Sequence, residues 1–275
     1  MAKLNDYTAV TRFDSNGILI TDGSSGTRKI SAKNAAIDLA GMVSSVQHRN
    51  IYGGRNLGST VTDAQKAAIS SGTFDNLYIG DYWTINGVQW LIADMDYYYN
   101  CGDTPRLSNH HLVIVPAACL YTHCMNSTNT TEGGYVGSLM YAEGLNQAKE
   151  QFLLAFPNMV LTYREYLINA VSNGFPSGGA WYNTAVNLMS EVQVFGTHHY
   201  HPMNNGSSIP TMLTISTRQF ALFRLNSEML NSNAWYWLRD VISDRLFADV
   251  GSFGGTSCNN ASAVYGVRPY ALIGV

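Results

Sequence analysis

From Leu77 to Asp94 apolar and polar residues alternate on either side of an Asn86-Gly87 dipeptide. A period of two lays one face of each run against a core, and Asn-Gly suits a tight turn with two left-handed residues, so a β-hairpin is expected. His111-Leu112-Val113-Ile114-Val115 is apolar without alternation and closes on Pro116, the pattern of a buried strand. Other stretches have a longer period. Ser59-Thr60-Val61-Thr62-Asp63-Ala64-Gln65 followed by Ala67, Ala68 and Ile69 reads as a capped helix ending at Gly72. Helical spacing also runs from Tyr141 to Phe156, stopped by Pro157, and from Arg164 to Val171, stopped before Asn173-Gly174. Trp181 to Phe195 is mixed in period and fits a helix turning into a strand.

Gly196 to Pro210 is polar and reads as a long exposed loop. Arg218 to Phe223 reads as a buried strand or short helix. Trp235–Asp240, Phe247–Val250 and Ala263–Ile273 then read as three short strands joined by loops of Gly, Ser, Thr and Asn. Near the N-terminus, Ile18-Leu19-Ile20-Thr21-Asp22 and Thr27-Arg28-Lys29-Ile30 flank a Gly-Ser-Ser-Gly turn, a second hairpin. Ser31 caps a helix through Ala35, Ala36, Leu39 and Met42, interrupted at Gly41. So small a module buries little core of its own and is expected to dock on a partner. The organisation is therefore α+β, with a module at 1–45 and a main domain at 46–275.

Composition narrows the function. With 46% hydrophobic and 13% charged residues, 275 residues can bury one large core. A net charge of -3 with scattered Lys and Arg argues against nucleic acid as a partner. No run reaches the roughly 20 apolar residues of a membrane helix, and the first residues lack the charged start and apolar run of a secretory signal, so synthesis in a cytoplasm without membrane insertion is expected. Cys101, Cys119, Cys124 and Cys258 have no paired spacing and read as reduced thiols rather than zinc ligands.

His198, His199 and His201 are the most metal-like group, with His199 and His201 on one face of a strand, but the sequence identifies no further correctly placed ligand, and a polar loop or an oligomer contact is the preferred reading. His110-His111 reads as a strand-edge pair. Asp94 and Asp96, at i and i+2 before Tyr97-Tyr98-Tyr99, read as a solvated strand end rather than an acid–base or calcium pair. The glycine turns at 53–55 and 177–179 lack the lysine and helix of a phosphate loop. No catalytic residue, metal or cofactor is expected.

The stretch 240–265 differs in kind. Ser243, Asp244, Arg245, Phe247, Asp249, Ser252, Phe253, Thr256, Ser257, Asn259, Asn260, Ser262 and Tyr265 mix aromatic with small polar side chains, the makeup of a recognition surface in which rings give rigid contact area and Ser, Asn and Gly adapt. These are the candidate ligand-binding residues.

The hairpin Gly80-Asp81-Tyr82-Trp83-Thr84-Ile85-Asn86-Gly87-Val88-Gln89-Trp90, the Trp237-Leu238-Arg239 element and the closing Gly266-Val267-Arg268-Pro269-Tyr270 resemble bacterial and phage surface domains of the C-type-lectin-like, formylglycine-generating-enzyme-like fold. The resemblance covers about residues 50–275 and includes receptor-binding proteins diversified by retroelements, which display variable side chains between a WLR-like and a GVRP-like strand. It implies a bacteriophage virion surface protein, head or tail fibre or decoration, that binds a host cell-surface protein or glycan. The 18–30 segment is similar to the leading segment of phage structural proteins, which implies attachment to other virion proteins and a homotrimer. Trp235, Tyr236, Trp237, Arg239 and Arg268 are then scaffold, with Arg268 expected to pair with a buried carboxylate. A purely structural capsid or tail decoration protein is the alternative, and a histidine-metal enzyme the more remote one.

Overall fold

The computed structural model describes residues 18–23, 26–31, 48–199 and 218–275. In the N-terminal module β1 (Ile18–Gly23) pairs antiparallel with β2 (Gly26–Ser31), with Gly23 opposite Gly26, as the glycine-bounded turn implies. The helix expected after Ser31 lies outside the described residues, as do His201 and most of the loop expected at 196–210.

The main domain opens with α1 (Asp63–Ser70), where the Thr62 hydroxyl accepts from the Gln65 N–H and the Gln65 side chain accepts from the Thr62 N–H. β3 (Tyr82–Ile85) and β4 (Val88–Met95) form the expected hairpin, with Asn86 and Gly87 at φ 52° and 79°. β5 (His111–Pro116) is buried along its whole length. After β6 (Tyr121–Cys124) a π-turn at Met140–Gly144 leads into α2 (Asn146–Ala155), so the helix expected from Tyr141 to Phe156 is present but broken near its start. Its Phe152, with the following Phe156, packs on the tryptophans of the hairpin: Trp90 lies 4.6 Å from Phe152 and 5.8 Å from Phe156, and Trp83 lies 6.1 Å from Phe156. Such pairs each add about 0.5–1.5 kcal/mol beyond the area they bury.

Two expectations are overturned here. Arg164–Val171 is not a helix: β7 (Tyr163–Ser172) and β8 (Phe175–Thr184) form a long hairpin. Asn173 and Gly174 sit at φ 52° and 79° and turn the chain, where the sequence reading took them for a helix stop. Tyr163, Glu165 and Leu167 are buried while Arg164, Tyr166 and Ile168 are half-exposed, a period of two obscured because apolar residues occupy both faces. Trp181–Phe195 runs in the opposite order to that expected, with the end of β8 and β9 (Val186–Leu188) first and the short helix α3 (Glu191–Phe195) second. Ser190 and Gln193 cap α3 reciprocally, a signal present in the sequence.

The rest of the chain comprises α4 (Ala221–Leu225), a 3-10 turn at Ser227–Leu230, β10 (Tyr236–Val241), β11 (Leu246–Val250), β12 (Thr256–Asn260), β13 (Val264–Val267) and β14 (Pro269–Gly274). One sheet has the order β3-β4-β5-β14-β9 and the other β12-β11-β10-β13-β6. The protein is α+β. The expected run Ala263–Ile273 is two strands in two different sheets, and the chain passes between them at Arg268.

Arg268 is fully buried, and among the described residues no carboxylate forms an ion pair with it. Its Nε donates to Pro116 O at 3.0 Å and its Nη1 to Met229 O at 2.8 Å, and the guanidinium lies 5.6 Å from the Phe223 ring and 5.2 Å from the Tyr236 ring. The expected ion pair is thus replaced by carbonyls and ring faces, which suit a delocalised cation. Two residues earlier, a Cβ on Gly266 would stand 2.3 Å from Cys119 Sγ and 2.8 Å from Trp235 O. Gly266→Ala is expected to lower the unfolding free energy by about 1–3 kcal/mol through overpacking. A urea midpoint equal to that of the parent chain would show that the two segments part freely.

Candidate functional site

The stretch expected to be loop-rich is largely sheet. Thr256–Asn260, read as part of a loop, is β12 at the edge of the second sheet, with β11 as its neighbour. Trp237 lies opposite Asp249, and Asp249 opposite Ser257, so these three side chains share a face. The Tyr265 ring lies 5.0 Å from Trp237 and stacks on Trp235 at 5.6 Å, with 25° between the latter planes. His123 lies opposite Tyr265 on β6. Tyr265 is half-buried and Trp235 is 40% exposed, so the aromatic stack reaches solvent beside the polar group.

Asp249 is the charged member of this face. Its side chain exposes no surface, yet it lies close beneath the surface rather than deep in the core. Asn259 Nδ2 donates to its Oδ2 at 2.8 Å, while Oδ1 is buried without a hydrogen-bond partner among the described residues. Burial pushes its pKa up to about 6, against hydrogen bonds from Asn259 and Ser257 that pull it down. A buried acceptor that lacks a donor among the described residues is costly.

Most of the candidate residues fall into three groups. Asp249, Ser257, Asn259 and Tyr265 are brought together. Ser252 and Phe253 lie on the turn between β11 and β12, where Phe253 is 92% exposed, and Thr256 opens β12. Ser243, Asp244 and Arg245 form the turn between β10 and β11, with Ser243 Oγ accepting from the N–H of Leu246 and Asp244 and Arg245 pairing at 3.5 Å. This turn borders a groove of about 490 Å³ shared with Thr131, Glu132 and Phe175. Asn260 is exposed, and Ser262 donates to Asn129 Oδ1 at 2.6 Å. Phe247 is corrected: it is fully buried in the core, because the inner end of the same face is covered. Trp235 is corrected in the other direction, from scaffold to exposed aromatic.

Arg239 and the aspartates have other partners. Arg239 pairs with Glu165 at 3.0 Å inside the core. Asp94 and Asp96 do not act together: a bulge after Ile92 precedes them, Asp94 is buried against Arg49 and the N–H of Ala221, and Asp96 holds His110 Nδ1 at 2.7 Å. Asp94 is therefore not at a solvated strand end. His198 lies 4.0 Å from Glu191, whose carboxylate also accepts from the His199 N–H. Among the described residues no group of three or more His, Cys, Asp or Glu side chains gathers as metal ligands. The four cysteines are unpaired and half-buried.

Among the described residues no helix is long and apolar enough to cross a membrane. No protein-family model, curated protein or solved structure matches the chain.

Proposed function

We propose that this chain is a non-enzymatic surface protein of a bacteriophage particle, with a C-type-lectin-like domain that binds a host-surface glycan through the Trp235, Tyr265 and Asp249 face. The observation that carries the reading is the juxtaposition of a stacked, solvent-reaching Trp235–Tyr265 pair with the Asp249–Asn259–Ser257 group. Flat ring faces match the C–H faces of sugars, and a carboxylate, an amide and a hydroxyl together match their hydroxyl groups. The edge position of β12 and the exposed turn carrying Phe253 leave this face accessible from the side, as a display surface requires. Residues 1–45 serve as the module that attaches the domain to other virion proteins and assembles it as a trimer.

The test is binding of the labelled full chain to a panel of bacterial cell envelopes, before and after periodate oxidation of surface glycans. Binding that periodate removes is expected, and Trp235→Ala and Tyr265→Ala are each expected to weaken it by about tenfold or more, the loss typical of an aromatic anchor. Saturable binding to no envelope, or binding that both variants retain in full, would sink the reading in favour of a purely structural decoration protein.

A further inference from the structure

A second concavity shares no residue with the Trp235 and Tyr265 face. It is a groove of about 390 Å³ whose lining includes Arg49, Arg218, Arg224, Phe74, Met95 and Asp96. Three arginines from two stretches of the chain, Arg49 from one and Arg218 and Arg224 from the other, converge on it, in a chain with only 13% charged residues and a net charge of -3. Chance scattering of so few charges does not readily place three of one sign on one groove.

The nearby carboxylates are already committed. Asp94 is fully buried, binds Arg49 through Nε and Nη2, and also accepts from the N–H groups of Met95 and Ala221. Asp96 accepts from His110 Nδ1 at 2.7 Å and from the His111 N–H at 3.0 Å. Arg218 donates through Nη2 to Tyr97 O at 3.0 Å and lies 4.3 Å over the Tyr97 ring, while its Nε is buried with no hydrogen-bond partner among the described residues. Arg224 donates to Asn50 Oδ1 at 3.1 Å. Burial lowers the Arg218 pKa from its ordinary value and Arg49 lowers it further, against the opposing pull of Asp94. An anion in the groove relieves both effects.

We propose that this groove binds a small oxyanion, a phosphate, sulfate or carboxylate, carried on a compact organic moiety. The guanidinium fork presents paired N–H donors at the spacing of two oxyanion oxygens, and the Nε of Arg218, without a partner among the described residues, is such a donor. The groove is larger than a lone oxyanion needs, and Phe74 and Met95 give the carrier an apolar wall. The site is independent of the face proposed above for host recognition.

Calorimetric titration of the full chain at fixed ionic strength tests it, with inorganic phosphate, sulfate and acetate as probes and chloride as the reference. At least one oxyanion is expected to bind saturably where chloride does not. Arg224→Ala, at an exposed position, is expected to weaken that binding by about tenfold without moving the thermal midpoint in chloride, and Arg218→Gln to weaken it further. A hexose phosphate is expected to bind more tightly than inorganic phosphate, and equal or weaker binding overturns the carrier. Titrations indistinguishable from chloride, or unaltered in both variants, overturn the site. Trp235→Ala is expected to leave these titrations unchanged, so the failure of either proposal is read separately.

Discussion

Glu165→Ala is expected to lower the free energy of unfolding by about 3–5 kcal/mol, the usual cost of stranding one member of a buried ion pair. Glu165 on β7 and Arg239 on β10 are both buried, and Arg239 Nη2 donates to Glu165 Oε1 at 3.0 Å. Burial works against the Arg239 charge, but Glu165 foremost, with Tyr270, Tyr98 and Asp240, outweighs it and holds the guanidinium well above its ordinary pKa. The other carboxylate oxygen accepts from the Tyr270 hydroxyl at 3.0 Å, and that hydroxyl meets those of Tyr163 at 2.8 Å and Tyr98 at 2.5 Å. Gln193 Nε2 donates to Tyr98 at 2.9 Å. One carboxylate thus ties the β7–β8 hairpin to both sheets and, through the tyrosines, to α3. Replacing both partners, Glu165→Leu with Arg239→Met, is expected to recover most of the loss, because an apolar pair has no charge to desolvate. Urea unfolding measures both, and a loss under about 1 kcal/mol for Glu165→Ala would show that water reaches Arg239.

The second large effect has the opposite sign. Asp249→Asn is expected to stabilise the protein at pH 7–8 by about 1–2 kcal/mol, a figure reduced from the full worth of the shift because the group lies near the surface. Its folded pKa of about 6 stands above the ordinary 3.8, so between those values the folded chain holds a proton that the unfolded chain releases. Stability contributed by the protonated carboxyl is therefore complete below about pH 4, falls as the pH rises through the window, and is gone above about pH 6. The asparagine variant lacks this slope, so its advantage is expected to vanish at pH 3.5. Equal unfolding midpoints for the two proteins at pH 7.5 would mean that the carboxylate is solvated. If the face binds a glycan as proposed, the same substitution is expected to weaken that binding, since stability alone favours a neutral group at this position.

Several elements were legible from local pattern. The β3–β4 hairpin, β5, α1 with its cap and the β1–β2 hairpin each carry a turn, cap or period that decides the backbone within a few residues, and the structure has all of them. The same rule applied consistently would have found β7–β8, since Asn173-Gly174 is the same turn as Asn86-Gly87. It was missed because Tyr166 and Ile168 supply apolar residues on the outer face and imitate a helical spacing. Of the candidate face, the positions of Asp249, Ser257, Asn259 and Tyr265 were within reach of composition, whereas the burial of Phe247 and the exposure of Trp235 were not.

What the sequence by itself determined is local: which residues turn, which cap, and which runs are apolar enough to be buried. The tertiary structure alone decided which polar residues meet. Arg239 found Glu165 across 74 positions and Arg268 found Pro116 O across 152, while Asp94 turned from Asp96 to Arg49 and α4. Such pairings depend on strand order and on the bulges that shift side chains between faces, and these follow from closing the whole core at once rather than from any short window of the chain.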